Sequence, residues 1–250
     1  MTPILLEACV DSVASSLAAE RGGAARLELC DSLSDGGTTP SAGMIAAVKA
    51  VVRIPVFIIV RPRGGDFVYT AAEIDVMRRD IDVAALVGVD GIVIGALDMT
   101  GRIDVGLTRS LVTAAHVLPV TFHRAFDLAS DLDAALDALA EVGVRRVLTS
   151  GGAATAIEGA DRLAALVARA GEHLAILAGG GIREDNVREL VRRSGVREIH
   201  VRGTRLRRKA VSVGSSTLRL RKPLPEDEGA WEETDESRIA TMRRLAEEPL

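Results

Sequence analysis

Two cysteines and a handful of ionisable side chains carry the chemistry open to this sequence. Each cysteine ends a Glu-x-Cys triplet, Glu7-Ala8-Cys9 and Glu28-Leu29-Cys30. A thiolate is a soft donor that selects Cu(I) over harder ions. The carboxylates could serve as general acid and base if their pKa values are split. The same cysteines have a plainer reading, because free cysteine is commonly a small buried hydrophobe. His123 and His200 add imidazoles that can ligate a metal or move a proton, and Arg61 and Arg63 add cations. A second constellation is rich in glycine: Thr149-Ser150-Gly151-Gly152 and Ala178-Gly179-Gly180-Gly181. Glycines let backbone N–H groups approach an anion closely, so Ser150, Gly151, Gly180 and Gly181 are candidate anion-binding positions. The plainer alternative is that they only make tight turns. There is no dinucleotide fingerprint, P-loop or His-rich zinc spacing.

These residues need a frame to bring them together. Short aliphatic runs alternate with longer helical patterns, the signature of successive βα units. Eight strands are expected at Ile4–Cys9, Arg26–Cys30, Pro55–Arg61, Gly91–Gly95, Pro119–His123, Arg146–Ser150, Leu174–Gly179 and Glu198–Val201. Asp11, Ser41, Asp104 and Ser130 are expected helix caps, and Thr70 with Glu73 forms a capping box. Eight equal units with right-handed crossovers favour closure into a single-domain (β/α)8 TIM barrel. An open doubly wound sheet is the alternative.

Strand alternation sorts the side chains. Ile4, Leu6 and Ala8 share one face of the first strand; Leu5, Glu7 and Cys9 share the other. On the second, Leu27 and Leu29 oppose Arg26, Glu28 and Cys30. Helices cover the outside, so the Glu/Cys faces point into the lumen. Phe57, Ile59 and Arg61 fall together, as do Thr121 with His123 and His200 with Arg202. Most of these polar residues sit late in their strands, at the C-terminal mouth where such barrels keep their sites. A carboxylate taken out of water costs several kcal/mol unless paired. At least one of Glu7 and Glu28 is therefore expected to contact Arg61 or Arg63. An ion-pair network that merely closes the barrel would explain any one of these charges, but five or more at one mouth point to a function.

Composition agrees with this frame. Of the 250 residues 48% are hydrophobic but only 2% aromatic, so the core must be aliphatic, which suits a parallel sheet sheathed in helices. A net charge of −4 offers no basic field for nucleic acid. No apolar run is long enough to span a bilayer, and the N-terminus lacks a signal-like core. Two cysteines are too few for a disulfide scaffold, so a cytoplasmic, reduced state is expected. Residues 1–205 form the expected barrel core, and 206–250 a loop and closing helix of the same domain. The basic run Arg205-Leu206-Arg207-Arg208-Lys209 is read as a loose loop whose charge is balanced by acidic residues 226–236. A final helical segment is expected from about Thr234 to Glu248.

Several of these segments form longer blocks: Glu28-Leu29-Cys30 with Gly36-Gly37-Thr38-Thr39-Pro40-Ser41, and Arg61-Pro62-Arg63-Gly64-Gly65-Asp66-Phe67. Thr121-Phe122-His123-Arg124-Ala125-Phe126-Asp127, Leu148-Thr149-Ser150-Gly151 and the glycines at 179–181 continue the series. In order and spacing they resemble the CutC family over roughly residues 4 to 205. His200-Val201-Arg202 departs from it, because small residues tend to follow that histidine. The resemblance implies a TIM barrel of copper homeostasis, cytoplasmic and homodimeric or larger, with no settled reaction. The candidate metal ligands are then Cys9 and Cys30 for Cu(I), and the candidate catalytic set is Glu7, Glu28, Arg61, His123, Asp127 and His200. The alternative is an enzyme that handles a small phosphorylated or carboxylated metabolite at the same mouth. A purely structural or partner-binding module leaves the charged mouth unexplained.

Overall fold

The computed structural model describes residues 3–208 and 229–248. Eight parallel strands close on themselves in sequence order: β1 (Leu5–Val10), β2 (Arg26–Leu29), β3 (Val56–Ile59), β4 (Gly91–Ile94), β5 (Val120–Phe122), β6 (Arg146–Thr149), β7 (Ala175–Gly179) and β8 (Glu198–Val201). β1 pairs with both β2 and β8, which completes the ring and excludes an open sheet. The connecting helices are α1 (Val13–Arg21), α2 (Ala42–Val51), α3 (Ala71–Val87), α4 (Val105–Ala114), α5 (Leu132–Glu141), α6 (Ala160–Ala170) and α7 (Val187–Ser194). Among the described residues no helix is long and apolar enough to cross a membrane.

Local chemistry sets the helix starts. The capping box forms, with the Thr70 hydroxyl accepting from the Glu73 N–H and Glu73 accepting from the Thr70 N–H. Ser41 and Asp104 cap α2 and α4. Two caps fall one residue later than the sequence reading places them. Ser12, not Asp11, accepts from Ser15 N–H at α1, and Asp131, not Ser130, caps α5. In both cases the neighbouring side chain has the extended backbone that aims its oxygen at the free N–H groups.

The tail differs more. The Arg205–Arg208 stretch is no loose loop: β9 (Thr204–Arg208) pairs antiparallel with β10 (Ala230–Thr234). Arg205 meets Asp235 at 2.7 Å and Arg207 meets Glu233 at 3.0 Å. The helix that follows, α8 (Glu236–Glu247), starts two residues later than expected because Asp235 caps it. Lys209 and the acidic stretch 226–228 lie outside the described residues.

Two interiors result from strand alternation. Outward-facing Leu6, Ala8, Leu27 and Leu29 join Ile45, Met77 and Leu163 of the helices in one aliphatic core. Inside the ring, Cys9, Cys30, Phe57, Ile59 and Val93 form a small second cluster. Beneath it lies a charged floor. Arg26 donates from Nε to Glu7 and from Nη2 to Glu198 (2.6 Å), and Arg146 donates to the same Glu198. The Phe57 ring lies against both guanidiniums, 5.1 Å from Arg26 and 5.6 Å from Arg146. With so few aromatics, this one ring fills the barrel floor and shields the ion pairs from water.

Arg26 serves the buried Glu7 and the partly buried Glu198, so its loss leaves charge uncompensated. Arg26→Ala is expected to destabilise the fold by about 3–5 kcal/mol, read as a lower urea midpoint at unchanged slope. A midpoint equal to that of the parent protein would mean that the floor is hydrated rather than dry.

Candidate functional site at the barrel mouth

The site begins one layer above the floor. In the β1–β8 register Glu7 lies opposite His200, and in the β1–β2 register Cys9 lies opposite Glu28. The His200 ring sits between the two carboxylates, with Nδ1 2.8 Å from Glu7 and Nε2 3.6 Å from Glu28. All three are buried or nearly so. Above them the thiols converge, Cys9 Sγ to Cys30 Sγ at 3.9 Å, and both cysteines are free. A cavity of about 540 Å³ opens over this group, lined by Cys9, Glu28, Cys30 and His200 on one side and by His123 and Arg124 on the other.

Electrostatics within the group is strongly perturbed. Burial alone would raise the Glu7 pKa, but Arg26 and His200 outweigh it and bring it to about 2. Glu28 has no such arginine. Burial pushes it up to about 8, against the pull of His200 and with added repulsion from Cys9 and Glu7. Burial also opposes charge on His200, yet Glu28, Cys9 and Glu7 hold its pKa well above the ordinary imidazole value. The Cys9 thiol is lowered, chiefly because Cys30 donates to it, with His200 helping against burial. Cys30 is raised in turn, by that hydrogen bond and by burial. These shifts make Cys9 the more readily ionised of the two thiols, favour the proton on His200, and make Glu28 the carboxylate that protonates more readily than Glu7. The arrangement can bind a soft cation or relay a proton.

The expected contact between Glu7 or Glu28 and Arg61 or Arg63 does not form. Arg61 is 4% exposed, yet its Nη1 donates to the Asp35 and Gly37 carbonyls at 2.7 and 2.8 Å, and its Nη2 to Gly65 at 2.9 Å. It ties the loops after β2 and β3 together. Arg63 pairs with Glu73 and Asp66 outside the cavity. Both arginines follow the end of β3, too far along the barrel axis to reach Glu7. Arg26 supplies the compensation because it occupies the lumen face directly opposite Glu7. Strand alternation places Arg26, Arg146 and Glu198 in the lumen, but their early position in each strand drew no functional reading.

The other candidates separate. His123 lines the cavity and is buried, its Nδ1 accepting the Ala125 N–H at 3.1 Å. Burial and the Arg61 charge bring its pKa down to about 3, so the ring is neutral. Asp127 holds the loop after β6: it accepts from Thr149 Oγ1, from the N–H groups of Ser150 and Gly152 at 3.0 Å, and from Arg124 Nε at 2.8 Å. Gly151 N–H donates to Thr149 Oγ1. The donors around Ser150 and Gly151 are thus already used within the loop, and neither residue lines the cavity. Gly180 and Gly181 do line it, beside Arg124.

Comparisons with known proteins agree with this architecture. Residues 4–204 match the model of the CutC family. The chain is 44% identical over 246 residues to a copper homeostasis protein cutC homolog from Mus musculus, covering 98% of this chain and 90% of that one. It is 42% identical to a CutC family protein of Xanthomonas campestris, covering 96% and 98%. The solved structure of CutC from Streptococcus agalactiae superposes with a TM-score of 0.76 at 34% identity, over 79% of this chain and 98% of that one. A thiamine phosphate pyrophosphorylase from Pyrococcus furiosus, 16% identical with a TM-score of 0.60, shares the fold.

The pKa shifts carry signs that can be measured. With Glu28 at about 8 instead of 4.5, the folded state binds more protons than the unfolded chain in that window, so stability falls as pH rises through it. His200 adds to the same fall: its raised pKa stabilises fully below 6.5, and that contribution is lost as pH rises through the folded value. Glu7 acts oppositely, stabilising above 4.5 and losing its contribution as pH falls toward 2. Neutral His123 opposes the fall below 6.5, and the lowered Cys9 thiol opposes it below 9.0, so urea midpoints should decline only from about pH 6.5 to about pH 8, and Glu28→Gln should flatten that decline. A parent protein that gains stability over that range would contradict the proton count assigned to Glu28 and His200.

Proposed function

The chain belongs to the CutC family, and from that premise we propose that it binds Cu(I) through Cys9 and Cys30 as part of copper homeostasis. One observation carries the reading: two free thiols converge to 3.9 Å inside a cavity, with one held toward thiolate by the other and by His200. Copper is here the cargo. Metal–sulfur bonds of about 2.3 Å would bridge that gap in a bent arrangement. Such a bend leaves room for a third donor, and a Glu28 carboxylate oxygen lies within 4.8 Å of both sulfurs. The donor set fits the metal, because thiolates are soft and Cu(I) is the soft ion that meets them in a reducing compartment. A cytoplasmic setting keeps both thiols reduced.

Binding should release protons. Cys30 carries its proton in the free protein, held there by Cys9 and by burial, and must lose it to ligate. His200 then offsets the negative charge that two thiolates concentrate in the lumen. Glu28 can accept or hold a proton as the charge changes, since its pKa of about 8 lies near neutrality.

The test is an anaerobic titration of reduced protein with Cu(I) against a competing chelator. Cys9→Ser and Cys30→Ser should each abolish tight binding, because a hydroxyl is a far weaker donor to a soft ion and the two sulfurs act as a unit. Zn(II) and Mg(II) should compete poorly. Parent affinity no better than that of the double serine variant would eliminate the thiol site.

A further inference from the structure

The far wall of the cavity is unlike the thiol wall. It is built by β5 and by the loop after β7, and its side chains are hydrogen-bond donors. His123 is 5% exposed, and its Nδ1 is occupied by the Ala125 N–H. Nδ1 is therefore the acceptor and Nε2 carries the hydrogen. That Nε2 is buried without a protein partner. A buried donor left unpaired is unfavourable, so it calls for an acceptor that the described residues do not provide. The position is also built for this ring. A Cβ at residue 95 would come within 2.1 Å of His123 Cε1, and glycine stands there. The Phe67 ring, 4.9 Å away, shelters the imidazole from water.

Arg124 continues the wall. Its Nε and one terminal nitrogen are fixed by Asp127 and Ser150, both at 2.8 Å. The other terminal nitrogen, Nη1, lies 3.0 Å from where a Cβ on Gly180 would stand. Gly180 and Gly181 have φ of +107° and +66°, conformations that L side chains rarely adopt. Their N–H groups have no hydrogen-bond acceptor among the described residues. Glycine at these positions leaves the backbone bare toward the cavity, and a guanidinium lies beside it.

We propose that this wall is an oxyanion subsite, which takes the phosphate or carboxylate group of a small organic acid on His123 Nε2–H, Arg124 Nη1 and the Gly180–Gly181 amides. It does not depend on the thiol site. The two walls face each other across one cavity, so the acid's body lies toward Glu28 and the cysteines.

Inorganic phosphate and succinate serve as the two probes, each titrated into the full-length reduced protein by calorimetry, with the imidazole ¹H–¹⁵N resonances followed in parallel. Saturable binding of one probe with a shift of the His123 Nε2 resonance is the expected result, and the probe that binds identifies the head group. His123→Ala and Arg124→Met should each weaken binding by about tenfold or more, as loss of a charge-assisted hydrogen bond does. The Cys9→Ser/Cys30→Ser protein should lose copper but keep the anion, so failure of one site is distinguishable from failure of the other. If a variant does not fold, the resonance shift in the parent protein still decides the matter. Absence of saturation with both probes, or saturation that leaves the His123 resonance unmoved, would overturn the subsite.

Discussion

The clamped imidazole of His200 is the interaction on which the rest of the lumen depends. Two carboxylates and a thiolate buried together would repel each other and draw water into the barrel. One imidazolium between Glu7 and Glu28, backed by Arg26 beneath Glu7, converts that repulsion into an alternating series of charges. The series runs from Arg146 through Glu198, Arg26 and Glu7 to His200. Each member sits between opposite charges, which is the condition under which buried ions are tolerated. Glu28 ends the series without a guanidinium of its own, and burial raises its pKa to about 8 while Arg26 and His200 hold Glu7 low.

The thiols inherit their properties from this series. Cys9 is poised toward thiolate because a cation lies one layer below it and Cys30 donates to it from the neighbouring strand. Their separation of 3.9 Å is close for non-bonded sulfurs, yet far from the roughly 2.05 Å of a disulfide. Neighbouring strands of the ring hold them at this separation. The functional reading and the fold are thus linked by register: a one-residue slip of β1 would turn Glu7 and Cys9 outward together.

Much of this was legible in the sequence, and the failures have physical causes. Strand alternation alone placed Glu7, Cys9, Glu28 and Cys30 in the lumen, and the repeat of βα units implied closure. The partner of Glu7 was not legible from proximity to motif blocks. Arg61 and Arg63 stand in a conspicuous block, but an arginine in a loop is readily taken up by carbonyls, and Arg61 bonds three of them. Arg26 stands at the quiet start of a strand, and only the parallel pairing of β1 with β2 sets it beside Glu7. Asp127 was likewise visible as an acid within a motif block, whereas its hydrogen bonds show a loop-bracing role. The β9–β10 pairing was hidden because charged residues dominate both strands, and cross-strand ion pairs rather than apolar alternation hold them.

The seam between β1 and β8 bears on how the chain reaches this state. Glu7 and His200 are separated by 193 positions, and β8 is the last strand of the ring to leave the ribosome. Closing so long a loop is entropically costly, so docking of the intervening units favours the seam. Without the β1–β8 seam Glu7 lacks its His200 partner, and the two cysteines, both within the first 30 residues, lack the imidazole that completes their setting. Metal acquired before the seam closes would meet flexible thiols, and metal acquired after it would meet a finished cavity.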